Sequence, residues 1–451
     1  MEEMRMMSIG LVGAGFSQRA FKSGLEMKPH VIASDSGTSD GGPLALGTGT
    51  FSKRTVKHDL DTLIQGARSI KVPFITGSAG TAGGDAQVAG VGEVVKEIAR
   101  ERGLHFKLAL IRCEVEKGFL KKKLAEGKIS SYGPVPPLTS ERIDKSSHVV
   151  GMMGAEPFIE ALDQGADVII AGRAMDPCIF VGPPLRAGFE PGVSWHAART
   201  MDKGPLMTKP VQEGSCGFIY LRKDHFVATP TKENCFCTPR TVAGIIVYEG
   251  ANPYYTVAPG GTLDTSQCEY KAIDNRTVRA WGAKWTPSKQ YTIKLEGAAP
   301  VGYRAIQVMG LRDPNLIAHL DTFLEDVRKT AERNLAQMRI PREKYTVRFR
   351  VYGRDAIMGP VEPLRDQLPH EVGVMVEAVG EDQATATMAC ARHAGVANHV
   401  EFPGRQTTAG NTAAPFPGGP IAAGPVYEWS VWHIAQTSGW RETASVEIVN
   451  V

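Results

Sequence analysis

Two carboxylates, Asp35 and Asp40, sit five residues apart in "ASDSGTSDGGP" (33–43), directly after the apolar residues Val31 and Ile32. Acids in a glycine-rich loop at the end of a buried strand suit ion binding or proton transfer. A second stretch, "ITGSAGTAGGD" (75–85), offers Gly80, Thr81 and Asp85, and a third, "AGRAMDP" (171–177), offers Arg173 and Asp176. Arginine grips a carboxylate through paired hydrogen bonds. Asp40 or Asp85 becomes a general base if burial raises its pKa. Asp35, Asp40 and Asp176 are oxygen ligands of the kind Mg²⁺ takes alongside substrate oxygens. Ser36 and Ser39 add hydroxyls, and glycines let backbone N–H groups approach an anion. With Arg173 as clamp and Asp40 and Asp85 as acid–base groups, the set fits adding or removing water beside a carboxylate.

Plainer structural roles exist for several of these residues. Asp85 precedes a helical pattern and suits an N-cap, and Asp176 before Pro177 suits a helix start. Gly13 and Gly15, the other candidate substrate-binding glycines, also suit a tight strand-to-helix turn. A dinucleotide fingerprint expects a glycine at 18, where this chain has Gln18. Asp35 follows that turn at the spacing of a ribose-binding acid, but the second acid and the hydroxyls are extra to that purpose. No phosphate loop ending in Gly-Lys-Ser/Thr follows "GSAGTAGGD", and no nicotinamide is expected.

Five apolar runs, at 7–15, 30–37, 72–85, 104–114 and 167–177, end in such polar bursts. Runs of this kind suit strands buried on both faces of a parallel sheet. Helical periodicity lies between them, with Leu60, Leu63, Ile64 and Ala67 on one side of one helix and residues 88, 91, 95 and 98 on another. The pattern predicts an α/β fold with an open, mostly parallel, Rossmann-like sheet over 1–205, its ligands beyond the carboxyl ends of the strands.

After about residue 205 the texture changes, and 206–451 is predicted as an α+β domain with a mixed sheet. Strands are expected in 216–228, 243–250, 253–261, 291–299, 303–310, 344–353 and 371–380. Helices are expected over 313–338, capped by Asp313 with Pro314 at N1, and over 382–395. Two loops there add candidate substrate contacts: "YGRDAIMGPVEP" (352–363) carries Arg354, and "FPGRQTTAGNTAAPFPGGP" (402–420) carries Asn411.

The formal charge of +3 over 451 residues gives no nucleic-acid signature, and no apolar run is long enough to span a membrane. Seven cysteines without framework spacing fit a reducing cytoplasm. The cysteines and the eleven histidines form no zinc pattern.

The stretches "ASDSGTSDGGP", "ITGSAGTAGGD" and "VIIAGRAMDPCIFVGPPLRAGF" resemble the signatures of the acyclic terpene utilisation (AtuA-like) family. The resemblance covers most of the chain. It implies a place in the breakdown of small carboxylic acids or their CoA esters, and a separate small α+β partner subunit. It carries over Asp35, Asp40, Asp85, Arg173 and Asp176 only as matching motif positions. The expectation is therefore a lyase, a hydratase or dehydratase acting on a small carboxylate or CoA thioester, working as a homo-oligomer. An isomerase or hydrolase using the same groups, and a non-catalytic substrate-binding subunit, stay open.

Overall fold

The structure is a computed structural model describing residues 1–37, 39–210, 216–248, 250, 252–405, 411–415 and 418–451. Thr38 of the first motif and parts of the 402–420 loop (406–410 and 416–417) lie outside the described residues. The chain forms two compact units, Met1–Ala299 with Trp429–Val451, and Pro300–Glu428.

The first unit is built on a ten-stranded sheet. Its strands are β1 (Glu3–Leu11), β2 (Val31–Gly37), β3 (Phe74–Thr81), β4 (Lys107–Arg112), β5 (Val168–Ala171), β6 (Gly217–Arg222), β7 (His225–Pro230), β8 (Glu269–Ala272), β9 (Val278–Trp281) and β10 (Ser445–Asn450). They lie in the order β8-β9-β7-β6-β1-β2-β3-β5-β4-β10. The run β1-β2-β3-β5-β4 is parallel. The remaining strands extend it antiparallel, β6 against β1 and β10 against β4. The parallel strands are buried on both faces: every residue of β2 and β5 is buried, which is why they read as unbroken apolar runs.

The boundary near 205 expected from the change of texture is not where the units divide. Strands β6 to β9 belong to the same sheet as β1, so residues 206–299 complete the first unit. Antiparallel strands joined by short turns look like a new domain in sequence, because nothing local says which edge they will pair with.

Helices cover the sheet. α1 (Gln18–Glu26) is capped by Ser17, whose hydroxyl accepts the Ala20 N–H. α2 (Lys53–Ser69) buries Leu60, Leu63, Ile64 and Ala67, and α3 (Asp85–Arg102) buries Val88, Val91, Val95 and Ile98. α3 ends at Gly103 in the left-handed region. These faces meet Phe74, Leu108, Val168 and Ile170 of the sheet in one core. α4 (Cys178–Arg186) and α5 (Pro191–Asp202) follow β5. A short strand, His148–Gly151, pairs antiparallel with Leu295–Ala298.

Strand β5 inserts between β3 and β4, although β4 follows β3 in the chain. The carboxyl ends of β2, β3 and β5 are therefore neighbours, and the polar bursts at 35–37, 77–84 and 172–176 meet. Glycines make that meeting sterically feasible. A Cβ on Gly37 would lie 2.2 Å from the Thr81 carbonyl oxygen, and one on Gly83 would lie 2.2 Å from the Arg173 nitrogen.

In the second unit, strands Tyr345–Tyr352 and Val372–Gly380 and residues 303–311 form an antiparallel sheet. Helices Leu320–Gln337 and Gln383–Val396 share its core. Here Asp313 caps and Pro314 stands at N1 as expected, but the predicted long helix breaks at His319. Two other expectations are corrected. The described residues of "AGIIVYEG" form no strand: Thr238 caps a helix over Pro239–Gly244, which runs into a 3₁₀ turn, Ile245–Val247. The segments at 291–299 and 303–310 form one strand, Tyr291–Leu311.

The close approach at Gly83 sets an expectation for stability. Gly83 has φ +67° and backbone where a Cβ would go, so Gly83→Ala lowers the unfolding free energy by about 3 kcal/mol. Gly103 has φ +61° but open space, so Gly103→Ala costs only about 1 kcal/mol. Urea denaturation of both variants checks the difference, and equal losses would contradict the steric account.

Candidate active site at the ends of the parallel strands

Arg173, the second residue beyond β5, is buried, and its guanidinium is the centre of the site. Nε donates to Glu296 at 3.0 Å, and Nη1 donates to the Ser78 hydroxyl at 3.2 Å and lies 3.5 Å from Asp176. Its backbone N–H donates to the Gly83 carbonyl at 3.0 Å, which ties the loop after β5 to the loop after β3. Ser78 stands at φ +52°, an uncommon conformation for a residue with a side chain.

The ion pairs spread outward from there. Lys203 lies 3.3 Å from Asp176 and 3.1 Å from Asp202, and Asp202 receives Arg199 at 2.7 Å. On the other side Lys294 lies 2.8 Å from Glu296, with its ammonium 3.3 Å from the centre of the Trp432 ring and 5.3 Å from that of Tyr132. The β-pairing of 295–298 with His148–Gly151 carries Glu296 to this place.

Asp35 differs from the other acids. It is 3% exposed, and among the described residues its carboxylate receives only the Gly37 N–H, at 3.4 Å, with no ion pair. Burial first, and then the charges of Asp176 and Asp202, push its carboxyl well above the ordinary range, while Lys203 and Arg173 act the other way. Burial and Asp176 also push Asp202 up to about 6. Burial alone would raise Glu296, yet Arg173 and Lys294 outweigh it and hold that carboxyl below its ordinary value. Lys294 is lowered by burial, against the pull of Glu296. The group thus holds cations, ionised acids and a carboxyl that favours its proton. Its more accessible members are Lys203, Asp176 and Lys294.

The structure brings together Asp35, Arg173 and Asp176 of the expected residues, with Ser36 buried in β2 next to Asp35 in sequence. Asp40 and Ser39 lie in the turn beyond β2, where Asp40 is exposed. Gly80 and Thr81 end β3 with positive φ, and the Gly80 carbonyl accepts the Gln87 side-chain amide. Asp85 is the first residue of α3, after the cap Gly84. Its carboxylate accepts the N–H groups of Cys113 and Glu114 at 3.1 and 3.2 Å, a tie between α3 and the end of β4. Burial still raises its carboxyl, against those two hydrogen bonds.

Gly13 and Gly15 donate their N–H groups to the Asp59 carboxylate at 2.8 and 3.1 Å. An anion does sit on that glycine turn, and it comes from α2 of the same chain. In the second unit, Arg354 pairs with Asp321 at 2.8 Å, and the Asn411 amide donates to the carbonyls of Ala397 and Val400.

The residues named for Mg²⁺ do not fit one ion. Asp176 is held by Arg173 and Lys203, Asp40 stands in an exposed turn, and no group of three or more metal-ligating side chains is set for an ion among the described residues.

Sequence reading missed Lys203, Asp202, Arg199, Lys294 and Glu296. "YTIKLEGAA" did carry a signal. Lys294 and Glu296 alternate with buried Ile293 and Leu295, and two opposite charges facing the same way on a strand mark a polar layer.

The raised Asp35 carboxyl predicts a pH dependence of stability. The folded state holds that proton more tightly than the unfolded chain, so Asp35 costs nothing below its unfolded pKa and destabilises as pH rises toward the folded value. Asp35→Asn removes that cost. Its urea midpoint should exceed the wild type's at pH 8, with the gap closing toward pH 4. A gap that widens on acidification would reverse the assignment.

No helix among the described residues is long and apolar enough to cross a membrane. No curated protein and no solved structure matches the chain. The sequence model of the acyclic terpene utilisation family protein AtuA matches residues 53–189 and 224–425. Those ranges include Ser78, Asp85, Arg173, Asp176, Lys294 and Glu296, while Asp35 and Lys203 lie outside them. With three quarters of its length matched, the chain belongs to the acyclic terpene utilisation family AtuA.

Proposed function

We propose that this protein is a hydro-lyase that removes water from, or adds it to, a small hydroxy carboxylic acid or its thioester. The observation that carries the reading is Asp35: a buried carboxyl without an ion pair among the described residues, biased toward its protonated form beside Arg173 and Lys203. A neutral carboxyl in such surroundings can give its proton to a departing hydroxyl at neutral pH.

Lys203, with Arg173 behind it, takes the substrate's carboxylate and stabilises charge that builds up next to it. Lys294, whose basicity burial lowers, first gives its own proton to solvent and then, uncharged, takes the proton alpha to that group. The C–H electron pair rests on the substrate as a carbanion steadied by Lys203, then forms the double bond as the C–O bond breaks and the hydroxyl leaves as water with the Asp35 proton. Glu296 holds Lys294 and Arg173 in one frame and steadies the ammonium that forms.

A non-catalytic substrate-binding subunit is the second reading. What favours it is that the Arg173 guanidinium already has Glu296, Ser78 and Asp176 as partners. Incubation of the purified protein in D₂O with short 3-hydroxy acids and their thioesters separates the two. The hydro-lyase gives alpha-deuterium exchange and an unsaturated product, whereas a binding subunit gives neither, and exchange without water loss would mean an isomerase.

Asp35→Asn should retain exchange while elimination falls by about 10²–10⁴, the usual worth of a general acid. Undiminished elimination would remove Asp35 from the chemistry. Lys294→Gln should abolish exchange. Arg173→Lys should raise KM by about tenfold or more, because an ammonium cannot hold Ser78 and Glu296 at once with a planar fork; unchanged kinetics would exclude that role.

A further inference from the structure

The second unit carries an excess of arginine at the edge of its sheet. Strand Tyr345–Tyr352 is the outermost strand there, and Arg348 and Arg350, two residues apart, share a face. A hollow of about 540 Å³ lies along it, lined by Arg328, Arg348, Arg350 and Arg365 with Phe349 and Asp355. That volume is within the range of small-molecule sites.

The local acids do not balance these cations. Arg350 pairs with Glu377 at 2.7 Å, but Glu377 also takes Arg304 at 2.8 Å. Arg365 and Arg354 share Asp355, at 2.9 and 3.4 Å, and share Asp321, at 3.6 and 2.8 Å. Arg328 lies 3.8 Å from Glu325, donates to the Val347 carbonyl, and stacks 5.1 Å from the Phe349 ring. The Arg348 side chain is exposed and has no hydrogen bond or ion pair among the described residues. With Asp366 also acting on Arg365, six arginines meet five acids, and the excess charge borders a concave wall that includes Val347, Phe349, Ala356 and Pro360. Apolar walls around like charges concentrate the field in the hollow. Guanidinium forks match phosphate oxygens in pairs.

We propose that this hollow binds the phosphate group of a small phosphorylated organic molecule of nucleotide size, with the apolar wall taking the organic part. The site stands apart from the proton-transfer reading and does not depend on it.

Calorimetric titration of the full chain at fixed low ionic strength tests it, with inorganic phosphate, pyrophosphate, ADP and succinate as probes. ADP should bind more tightly than pyrophosphate, pyrophosphate more tightly than phosphate, and succinate not measurably. Arg348→Glu should weaken ADP binding by about tenfold or more, the worth of one charge-assisted contact. Arg348 is exposed but stands opposite Glu377 on the neighbouring strand, so Arg348→Glu should melt slightly below the wild type, whereas Arg348→Lys should melt with the wild type and fall between the two in affinity. Absence of binding by every phosphate probe, wild-type affinity in Arg348→Glu, or succinate binding as tightly as pyrophosphate would each overturn the site. ADP binding no better than pyrophosphate would overturn the role given to the apolar wall.

Discussion

The first unit is organised around a guanidinium that has left water. Burying an isolated charge is far costlier than the few kcal/mol by which domains are stable, so Arg173 can stay where it is only with anions and acceptors close by. Glu296 is that partner, 2% exposed on its side chain, and it divides its two oxygens between Arg173 and Lys294. Everything around the cluster follows from bringing those groups within hydrogen-bond distance. The strand carrying Glu296 must pair with His148–Gly151, the loop after β5 must meet the loop after β3, and Ser78 must take a strained backbone to offer its hydroxyl.

Glycine chemistry serves that end in a way that sequence reading turned around. Glycine-rich strand ends suggest places where backbone amides approach a bound anion. The close approach is real, but at Gly37 and Gly83 the thing approached is another loop of the same chain. At Gly13 and Gly15 the anion is real too, and it is Asp59. Both outcomes use the same physical property, the missing Cβ. Composition reveals that something comes close; only the fold says what.

That distinction explains how much was readable. The parallel strands could be read because burial on both faces leaves an apolar run that few other structures require, and α2 and α3 because their apolar residues recur at helical spacing. The convergence of Asp35, Arg173 and Asp176 followed from a rule about where parallel strands end. Sequence could not show that β5 inserts between β3 and β4, or that residues 206–299 return to the edge of β1, because strand order is decided by long-range pairing. Lys203 and Glu296 were missed for the same reason: they lie 30 and 123 residues from Arg173 and reach the site through helix α5 and a distant strand. Asp85 lies against the end of β4, where its carboxylate accepts two backbone N–H groups, a contact that sequence spacing does not reveal.

A cluster built solely to brace loops would be expected to match its charges. Glu296 is matched twice, and Asp202 meets Arg199 and Lys203. Asp35 breaks the pattern. It is buried at the end of β2, with one long backbone contact among the described residues and three acids in its neighbourhood counting itself. Leucine or asparagine of similar size would fill that space at lower cost, because neither carries a charge that burial disfavours. A carboxyl retained where it is costly to ionise is useful when its proton is used. The neighbouring Asp202, pushed up to about 6, makes the proton content of the pair sensitive to small changes near neutrality, such as the arrival of an anion at Lys203. Binding a carboxylate there would add negative charge beside Asp35 and strengthen its hold on the proton until the chemical step removes it. The same electrostatics that makes the site expensive to fold would load the acid when substrate arrives.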